Sequence, residues 1–292
     1  TAKDLAGYQP KWRTPVAFKY RNHDVISMPP PSSGGITLAL IAQQLEAYDL
    51  KALGWHTAPA VHLMAEGLAD LRPAGYIPPA IGGAITLADI QLTLGRLRDA
   101  RATYEHGLEW ALEPGGRIRQ GAADMHVGLA ALLYEHNDLD AAEQHLLTSR
   151  SLGELAELPQ NPYRWRATMA RLCVARGDLD GGLALLDEAE RLYDGNFSPN
   201  VRPIAARRAR LWLAQGRLNE ALRWVSERRL SAADELAYLG EFEHLTLARV
   251  LLVQGRSQRE SLAAALALLG RLLAAAEAGL RMGSVLEILA VQ

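Results

Sequence analysis

The stretch Gly177-Asp178-Leu179 decides the fold, because versions of it recur along the chain at a nearly constant interval. Glycine and asparagine, which occupy its first position, tolerate the positive φ that a tight turn between two helices requires. Successive copies stand 42, 40, 39 and 39 residues apart, a period typical of an array of helix pairs. The copies are Gly95-Arg96-Leu97, Asn137-Asp138-Leu139, Gly177-Asp178-Leu179, Gly216-Arg217-Leu218 and the shortened Gly255-Arg256.

The residues on either side of these turns keep the same register. An alanine stands seven residues before each turn, and a large apolar or aromatic residue stands nine residues after the first four turns. Steps of three and four place such residues on one helical face. Each unit is therefore predicted to be a helix, a short turn and a second helix, with neighbouring units stacked into a superhelix. The alanines are Ala88, Ala130, Ala170, Ala209 and Ala248, and the large residues are Tyr104, Leu146, Leu186 and Val225.

The pattern predicts where the units begin and end. After Gly255 it slips, and five extra residues restore it at Leu262, which indicates a longer turn. Clusters of proline, glycine and asparagine at 113–116, 159–162 and 198–200 separate successive helix pairs. The predicted fold class is mainly all-α. It is a tetratricopeptide-like helical-repeat superhelix of about five helix-turn-helix units at 67–292, preceded by a small α+β fragment at 1–66.

Composition narrows the possible functions. The formal net charge of −2 gives no reason to expect nucleic-acid binding. Cys173 is the only cysteine, which excludes an internal disulfide and a cysteine-rich metal site. The sequence predicts no apolar run close to the roughly 20 residues that span a bilayer. The first residues contain neither a start methionine nor a signal peptide, so we expect a fragment or a processed product.

The candidate ligand-binding residues lie on the first helices of successive units. Arg171, Arg210 and Arg249 each stand six residues before a turn, and Arg207 shares their face. An arginine ladder in the concave groove would bind carboxylates or phosphates in bidentate geometry. The alternative is a solvated outer face, since arginine is the favoured base in this segment.

Two aromatic residues and two histidines are further candidates. Tyr163 and Trp165 begin a first helix beside a proline-bounded loop, where they would stack on a ligand ring or pack the helix entry. His126 and His244 occupy equivalent positions, but they have no partners at metal-ligand spacing. We therefore predict no metal site, no cofactor and no catalytic residue.

The repeat segment resembles the helical arm of large LuxR-family regulators of the MalT type. In that family the arm follows an ATP-binding switch domain, precedes a DNA-binding helix-turn-helix and senses an inducer or a partner protein. No G-x-x-x-x-G-K-[ST] motif and no basic recognition helix occur here. The resemblance is carried by the stretches 65–72, 84–90, 159–166 and 197–203.

The first segment resembles part of the large subunit of gamma-glutamyltransferases. Val16–Tyr20 and Asp24–Ser27 predict a β-hairpin, and a helix is expected from Ile36 to about Tyr48. The resemblance implies a self-cleaving enzyme whose freed threonine is the nucleophile, yet the threonine-histidine motif that marks this nucleophile does not occur. The matching stretches are 4–8, 13–16, 28–35, 45–50 and 60–66.

Two functions follow from these observations. The one we favour is a cytoplasmic interaction or sensor module, with a protein or small-molecule effector in its concave groove, without direct nucleic-acid or membrane binding. The alternative is a catalytically incomplete gamma-glutamyltransferase fragment, which would be periplasmic or secreted. The two resemblances meet within 64–69, so we treat the chain as a fusion or chimera joined there.

Overall fold

A computed structural model describes residues 11–30, 32, 34–53, 58–71, 77–112, 118–193 and 200–292. The chain divides into two compact units, residues 1–60 and residues 61–292. The predicted fold class is confirmed: the described residues are mostly helical, and a small antiparallel sheet lies near the N-terminus.

The first unit contains the predicted hairpin. Strands β1 (Val16–Tyr20) and β2 (His23–Ser27) pair antiparallel, with Val16 opposite Ser27. Arg21 and Asn22 form the turn with positive φ values of 47° and 67°. Two helices follow, α1 (Gly34–Leu45) and α2 (Leu50–Leu53). The Arg21 side chain donates a hydrogen bond of 2.5 Å to the carbonyl oxygen of Tyr48, which ties the hairpin turn to the segment after α1.

The second unit is a succession of antiparallel helix pairs. Four of the pairs are joined by a three-residue turn, and the sequence predicts a short turn at each. The 159–162 cluster marks a helix start, with Pro162 in its first turn, whereas residues 113–116 and 198–199 lie outside the described residues. From Ala58 on, the helices are α3 (Ala58–Leu71), α4 (Ile77–Thr93), α5 (Leu97–Ala111), α6 (Ala122–Glu135), α7 (Leu139–Ser151), α8 (Asn161–Ala175), α9 (Leu179–Leu192), α10 (Ile204–Ala214), α11 (Leu218–Arg228), α12 (Glu241–Gln254), α13 (Arg259–Ala278) and α14 (Met282–Leu289).

The first four predicted turns share one backbone geometry. Gly95, Asn137, Gly177 and Gly216 have positive φ values of 75°, 58°, 86° and 73°. The residue after each donates its N–H to the carbonyl five positions earlier, for example Asp178 to Cys173 at 2.9 Å. This bond uses a carbonyl that the end of the helix leaves free. The recurring glycine or asparagine is therefore required by the turn itself.

Burial confirms the predicted register. The five alanines that precede the turns have relative exposures between 0% and 2%, and Tyr104 and Leu146 are fully buried. Small side chains at fixed positions allow two helices to approach closely, and the large ones fill the space between the pairs. The apolar core thus runs along the array and is shared between successive units.

The fifth turn differs from the other four, as the slipped pattern indicated. Gly255 has a φ of −62°, which is helical and not left-handed. Helix α13 begins only at Arg259, so the connection is longer than its counterparts. The prediction that Gly255 belongs to the same turn signature was therefore wrong. Its glycine has another use, because a Cβ there would lie 2.9 Å from the Cβ of Leu262.

The last helix returns to the beginning of the array. At the start of α14, an added Cβ on Gly283 would lie 3.1 Å from the carbonyl oxygen of Leu92 and 3.2 Å from that of Thr93, at the end of α4. Met282 packs against the turn glycine Gly95, at 3.3 Å from the position of a Cβ. The array therefore curves until its C-terminal helix touches its first turn.

Helix α13 corrects one expectation from the sequence. This helix of 20 residues is long and apolar enough to cross a membrane, judged by length and composition alone. One helix among the described residues meets this test. Core helices of soluble folds pass the same test. Leu268, Leu269 and Leu272 are buried in a cluster with residues of α12 and α14.

Candidate functional site

The predicted arginines lie close to one another, and two of them, Arg210 and Arg249, meet Glu287 of α14. Arg171, Arg210 and Arg249 occupy equivalent places on α8, α10 and α12, and Arg207 lies one helical turn before Arg210. Arg202, just before α10, joins them. We call the surface formed by Arg171, Arg202, Arg207, Arg210 and Arg249 the arginine face.

Arg210 is at the centre of the arginine face. Its guanidinium stacks on the ring of Phe242, with Cζ 3.7 Å from the ring centroid. Its Nε donates to the hydroxyl oxygen of Thr246 at 2.8 Å. Its Nη1 forms an ion pair with the carboxylate of Glu287 on α14. Burial lowers the pKa of Arg210 to about 10, and Arg249 adds to this effect while Glu287 opposes it.

Glu287 is shared between two helices of the arginine face. Besides Arg210, it lies 3.6 Å from Nη2 of Arg249. Burial favours the neutral acid, but the charges of Arg210, Arg202 and Arg249 outweigh it, so the pKa of Glu287 lies below its usual range. The Nε of Arg249 is buried and has no hydrogen-bond partner among the described residues. One carboxylate thus serves two guanidinium groups and leaves a donor unused.

Arg207 has a different environment. Its Nε donates to the backbone carbonyl of Arg202 at 3.1 Å, and no carboxylate in the described part of the chain forms an ion pair with it. Burial lowers the pKa of Arg207 to about 10, and Arg202, Arg171 and Arg210 lower it further, while Tyr163 acts in the opposite sense. Arg207 is therefore a positively charged side chain surrounded by other positive charges.

The remaining predicted residues divide between the arginine face and the core. Arg171 stacks on Tyr134 at 4.0 Å and pairs with Glu135 at 2.5 Å. Tyr163 lies close enough to affect Arg207, and its ring meets Tyr193 at a centroid distance of 5.0 Å. Trp165 instead points toward α7, where its indole N–H donates to the carbonyl of Leu146 at 2.8 Å. The contacts of Trp165 are thus those of helix packing.

The histidines have internal partners. His126 and His145 meet through their Nδ1 atoms at 2.9 Å, so one ring donates and the other accepts. Burial lowers the pKa of His126 to about 4, with a smaller contribution from His145. His244 lies 2.9 Å from the carbonyl of Gly240 and 3.3 Å from the carboxylate of Asp234. In the described residues no three His, Cys, Asp or Glu side chains are placed to hold a metal ion.

A second polar cluster lies nearer the start of the array. Arg164 is 3.6 Å from Asp124 and 4.0 Å from Asp89, and the buried Tyr104 hydroxyl donates to Asp89 at 3.2 Å. Burial raises the pKa of Asp124, and the charge of Arg164 and the hydrogen bond from the Leu158 N–H act against this rise. Here one arginine faces two carboxylates, so the positive charge is fully matched. On the arginine face, by contrast, the arginines outnumber the carboxylates that pair with them.

Sequence reasoning missed Arg202 and the two residues that contact Arg210, Phe242 and Glu287. Arg202 precedes its helix and carries no signal in the repeat pattern. Phe242 stands 13 residues before Gly255, the position of Arg164 relative to Gly177, but the residue type at this place changes from unit to unit. Glu287 lies 77 residues from Arg210, and only the curvature of the array brings them together.

Comparisons with known proteins agree with both resemblances. The family profile described as MalT-like TPR region matches residues 46–292, and that of gamma-glutamyltranspeptidase matches residues 1–70. The glutathione hydrolase proenzyme of Escherichia coli (strain K12) is 48% identical over 66 residues, which are 23% of this chain and 11% of that protein. The acylase ACY 1 proenzyme of Pseudomonas sp. (strain V22) is 45% identical over 65 residues, 22% of this chain and 12% of that protein.

These curated relatives are much longer than the matched segment: the chain spans about a tenth of their length. Among solved structures, BtubC (BKLC) from P. vanneervenii superposes with a TM-score of 0.47 at 16% identity. The superposition covers 74% of this chain and 90% of that one.

Proposed function

The chain belongs to the family of MalT-like TPR regions, and from that membership we propose that its helical array is the effector-binding arm of a LuxR- and MalT-type regulator. In this proposal the arm binds a protein or small-molecule effector on the inside of its curve. It does so without an ATPase or DNA-binding element of its own in this segment.

The observation that carries the proposal is the arginine face. A repeat array that served only as a spacer would need apolar contacts between units and a solvated surface. Here five arginines lie close together, Glu287 of α14 pairs with two of them, and Arg207 has no carboxylate partner among the described residues. Charged groups gathered at such a place are typical of ligand recognition.

Ligand-induced stabilisation tests this function. The full chain would be heated with neutral sugars, nucleotides and dicarboxylates in turn, and hits confirmed by isothermal titration calorimetry. We expect at least one class to raise the melting temperature of the wild type and to lose this effect in Arg210→Ala. The matched control is Arg208→Ala, on the same helix, where the side chain pairs with Asp187 and Glu190 away from the arginine face.

The outcomes separate a binding arm from a scaffold. If no compound shifts the melting temperature, the array has no small-molecule effector among these classes. If Arg210→Ala and Arg208→Ala respond alike to a ligand, that ligand binds elsewhere. Either result contradicts the small-molecule form of the proposal.

The gamma-glutamyltransferase alternative rests on the match of residues 1–70 to that family. We infer that this segment does not turn over substrate by itself, because the threonine-histidine motif of the nucleophile does not occur in the sequence. A chromogenic gamma-glutamyl substrate tests this directly. Release of the chromophore above background, at a rate proportional to protein concentration, would favour the enzyme.

The compartment depends on which segment governs the protein. A regulatory arm would work in the cytoplasm, whereas the resemblance of the first segment to gamma-glutamyltransferases implies an exported protein. Fractionation of cells that express the full chain decides between them. Recovery with the periplasmic or secreted fraction would favour the second.

A further inference from the structure

The charge balance of the arginine face narrows the class of ligand. Five guanidinium groups converge there, and two carboxylates of the described residues form ion pairs with them. Glu135 pairs with Arg171, and Glu287 lies between Arg210 and Arg249. The surface therefore carries an excess of three positive charges. Converging like charges raise the local potential and attract counter-ions.

The aromatic residues orient two of these guanidinium groups. Arg210 lies over Phe242 at 3.7 Å, and Arg171 lies over Tyr134 at 4.0 Å. A stacked guanidinium keeps its N–H donors in its own plane, so they point outward from the edge of the group. Such a fork matches two oxygens of a carboxylate or a phosphate. In Arg210 it is already held by Thr246, Glu287 and the carbonyl oxygen of Phe242. The rings thus restrict the arginines before any ligand arrives.

Unused donors lie beside these oriented groups. Arg207 donates through Nε to a backbone carbonyl, and its terminal nitrogens have no described partner. The Nε of Arg249 is buried without a hydrogen-bond partner in the described part of the chain. A buried donor that lacks an acceptor is costly, and one oxyanion could accept from the Arg249 Nε and from the terminal nitrogens of Arg207.

Glu287 shows how the site receives a carboxylate. Its side chain enters from α14, whose start is seated on the carbonyl groups of Leu92 and Thr93 at the end of α4. We propose that the arginine face binds a small, doubly or triply charged oxyanion, with carboxylate or phosphate groups, beside Glu287.

This inference rests on the proposed effector-binding function and names its ligand class. Its test is calorimetric titration of the full chain with succinate, citrate and inorganic phosphate, each at constant ionic strength, and with sucrose as a neutral probe. We expect heat from at least one anion and none from sucrose. Succinate and citrate against phosphate distinguish a carboxylate ligand from a phosphate ligand.

Substitutions locate the binding. Arg207→Gln is expected to weaken anion binding at least tenfold, since it removes a charged group whose terminal nitrogens have no partner among the described residues. Arg202→Gln, at an exposed position outside any helix, is a second variant that leaves the core packing intact, with an expected loss of severalfold. Arg208→Gln is the matched control and should change affinity less than twofold. Circular dichroism confirms the helical content of each variant.

Glu287→Gln tests the role of the internal carboxylate. Removing one of the two negative charges raises the excess to four, so the same anion should bind severalfold more tightly. A weaker or equal affinity would contradict the place given to Glu287.

The remaining outcomes separate this inference from the proposed function. Suppose that sucrose or another neutral compound binds, that Arg207→Gln abolishes this binding, and that no anion gives heat. The effector-binding function then stands, and the proposed ligand class is wrong. Anion binding that Arg207→Gln and Arg208→Gln reduce equally overturns the assigned site. No heat from any probe overturns the oxyanion site, and the proposed function is then judged by its own wider panel.

Discussion

At the scale of single residues, the ring of Tyr104 leaves no room for a side chain at Gly128. The tyrosine is fully buried, and a Cβ on Gly128 would overlap its ring. A ring fixed in the core cannot move aside, so we predict that Gly128→Ala lowers the free energy of unfolding by about 1–3 kcal/mol. Urea denaturation followed by circular dichroism measures this change.

The matched control for this prediction is Gly270→Ala. Gly270 lies in the exposed part of α13 with no atom within 4 Å of an added Cβ. The added methyl group lowers the entropy of the unfolded chain and favours the helix by about 0.5–1 kcal/mol. If both variants shift the urea midpoint in the same direction, overlap with Tyr104 is not the cause.

The pair formed by His126 and His145 predicts a pH dependence of stability. Burial lowers the pKa values of both rings from 6.5, that of His126 to about 4. The unfolded chain therefore binds more protons than the folded one below about pH 6.5. Stability is fully present above that pH and falls as the pH drops toward 4. For partly exposed rings we expect a loss of about 1–2 kcal/mol.

The measurement is the urea midpoint at pH 7.5 and pH 5. His126→Gln removes one of the two rings whose pKa is lowered. The change in urea midpoint between the two pH values should therefore be smaller than in the wild type. The exposed His106→Gln should leave the difference unchanged. An unchanged difference in His126→Gln would rule out the histidine pair as its source.

At the scale of the helix pair, the turns are set by backbone conformation and not by contacts. Gly177 has a φ of 86° and nothing within 4 Å of an added Cβ, so the cost of a side chain there is conformational only. We predict that Gly177→Ala destabilises the protein by about 1–2 kcal/mol. Thermal or urea denaturation gives the value.

Asn137 provides the reverse substitution. It occupies the equivalent turn with a φ of 58°, where asparagine is tolerated but glycine is preferred. Asn137→Gly is expected to leave stability unchanged or to raise it slightly. A loss of stability in Asn137→Gly comparable to that of Gly177→Ala would show that the turn depends on side-chain contacts.

The helix pairs were predictable from sequence because the turn and its flanking residues obey local rules. Gly177 and Ala170 meet requirements set within about ten residues of each other, and both outcomes were as predicted. Gly255 was assigned wrongly because its role does not follow from such local rules. Its role is decided by Leu262 on the next helix, and the residue type alone does not distinguish a turn glycine from a close-packed one.

The candidate site was predictable only in part. Arg171, Arg210 and Arg249 were found because equivalent positions in a repeat project to one side of the array. Glu287, and the lack of a carboxylate partner for Arg207 among the described residues, were not predictable, because they depend on how far the array curves. Curvature is the sum of small rotations between units, and no single residue encodes it.

At the scale of the whole molecule, the two units differ in how well their apolar residues are covered. In the first unit Trp12 is fully exposed, Ile26 is 72% exposed and Met28 is 66% exposed. Exposed apolar groups of this kind are typical of a segment without its packing partners. We predict that limited proteolysis removes residues before about 60 and leaves a resistant core that ends at Gln292.

Mass spectrometry of the digest checks this expectation. Equal protection of both units would instead indicate one folded body, and the gamma-glutamyltransferase resemblance would then belong to the working protein. A pulse of protease at several concentrations distinguishes slow cleavage of a folded segment from immediate cleavage of an open one.

The seat of α14 on the end of α4 has a consequence for how the array loses its structure. An open solenoid behaves as a row of linked units that frays inward from two free ends. Joining the last helix to the first turn at Gly283 turns that row into a loop, in which each unit has neighbours on both sides. The amides of α4 should therefore exchange with deuterium as slowly as those of α8, and Gly283→Val should restore fraying at both ends.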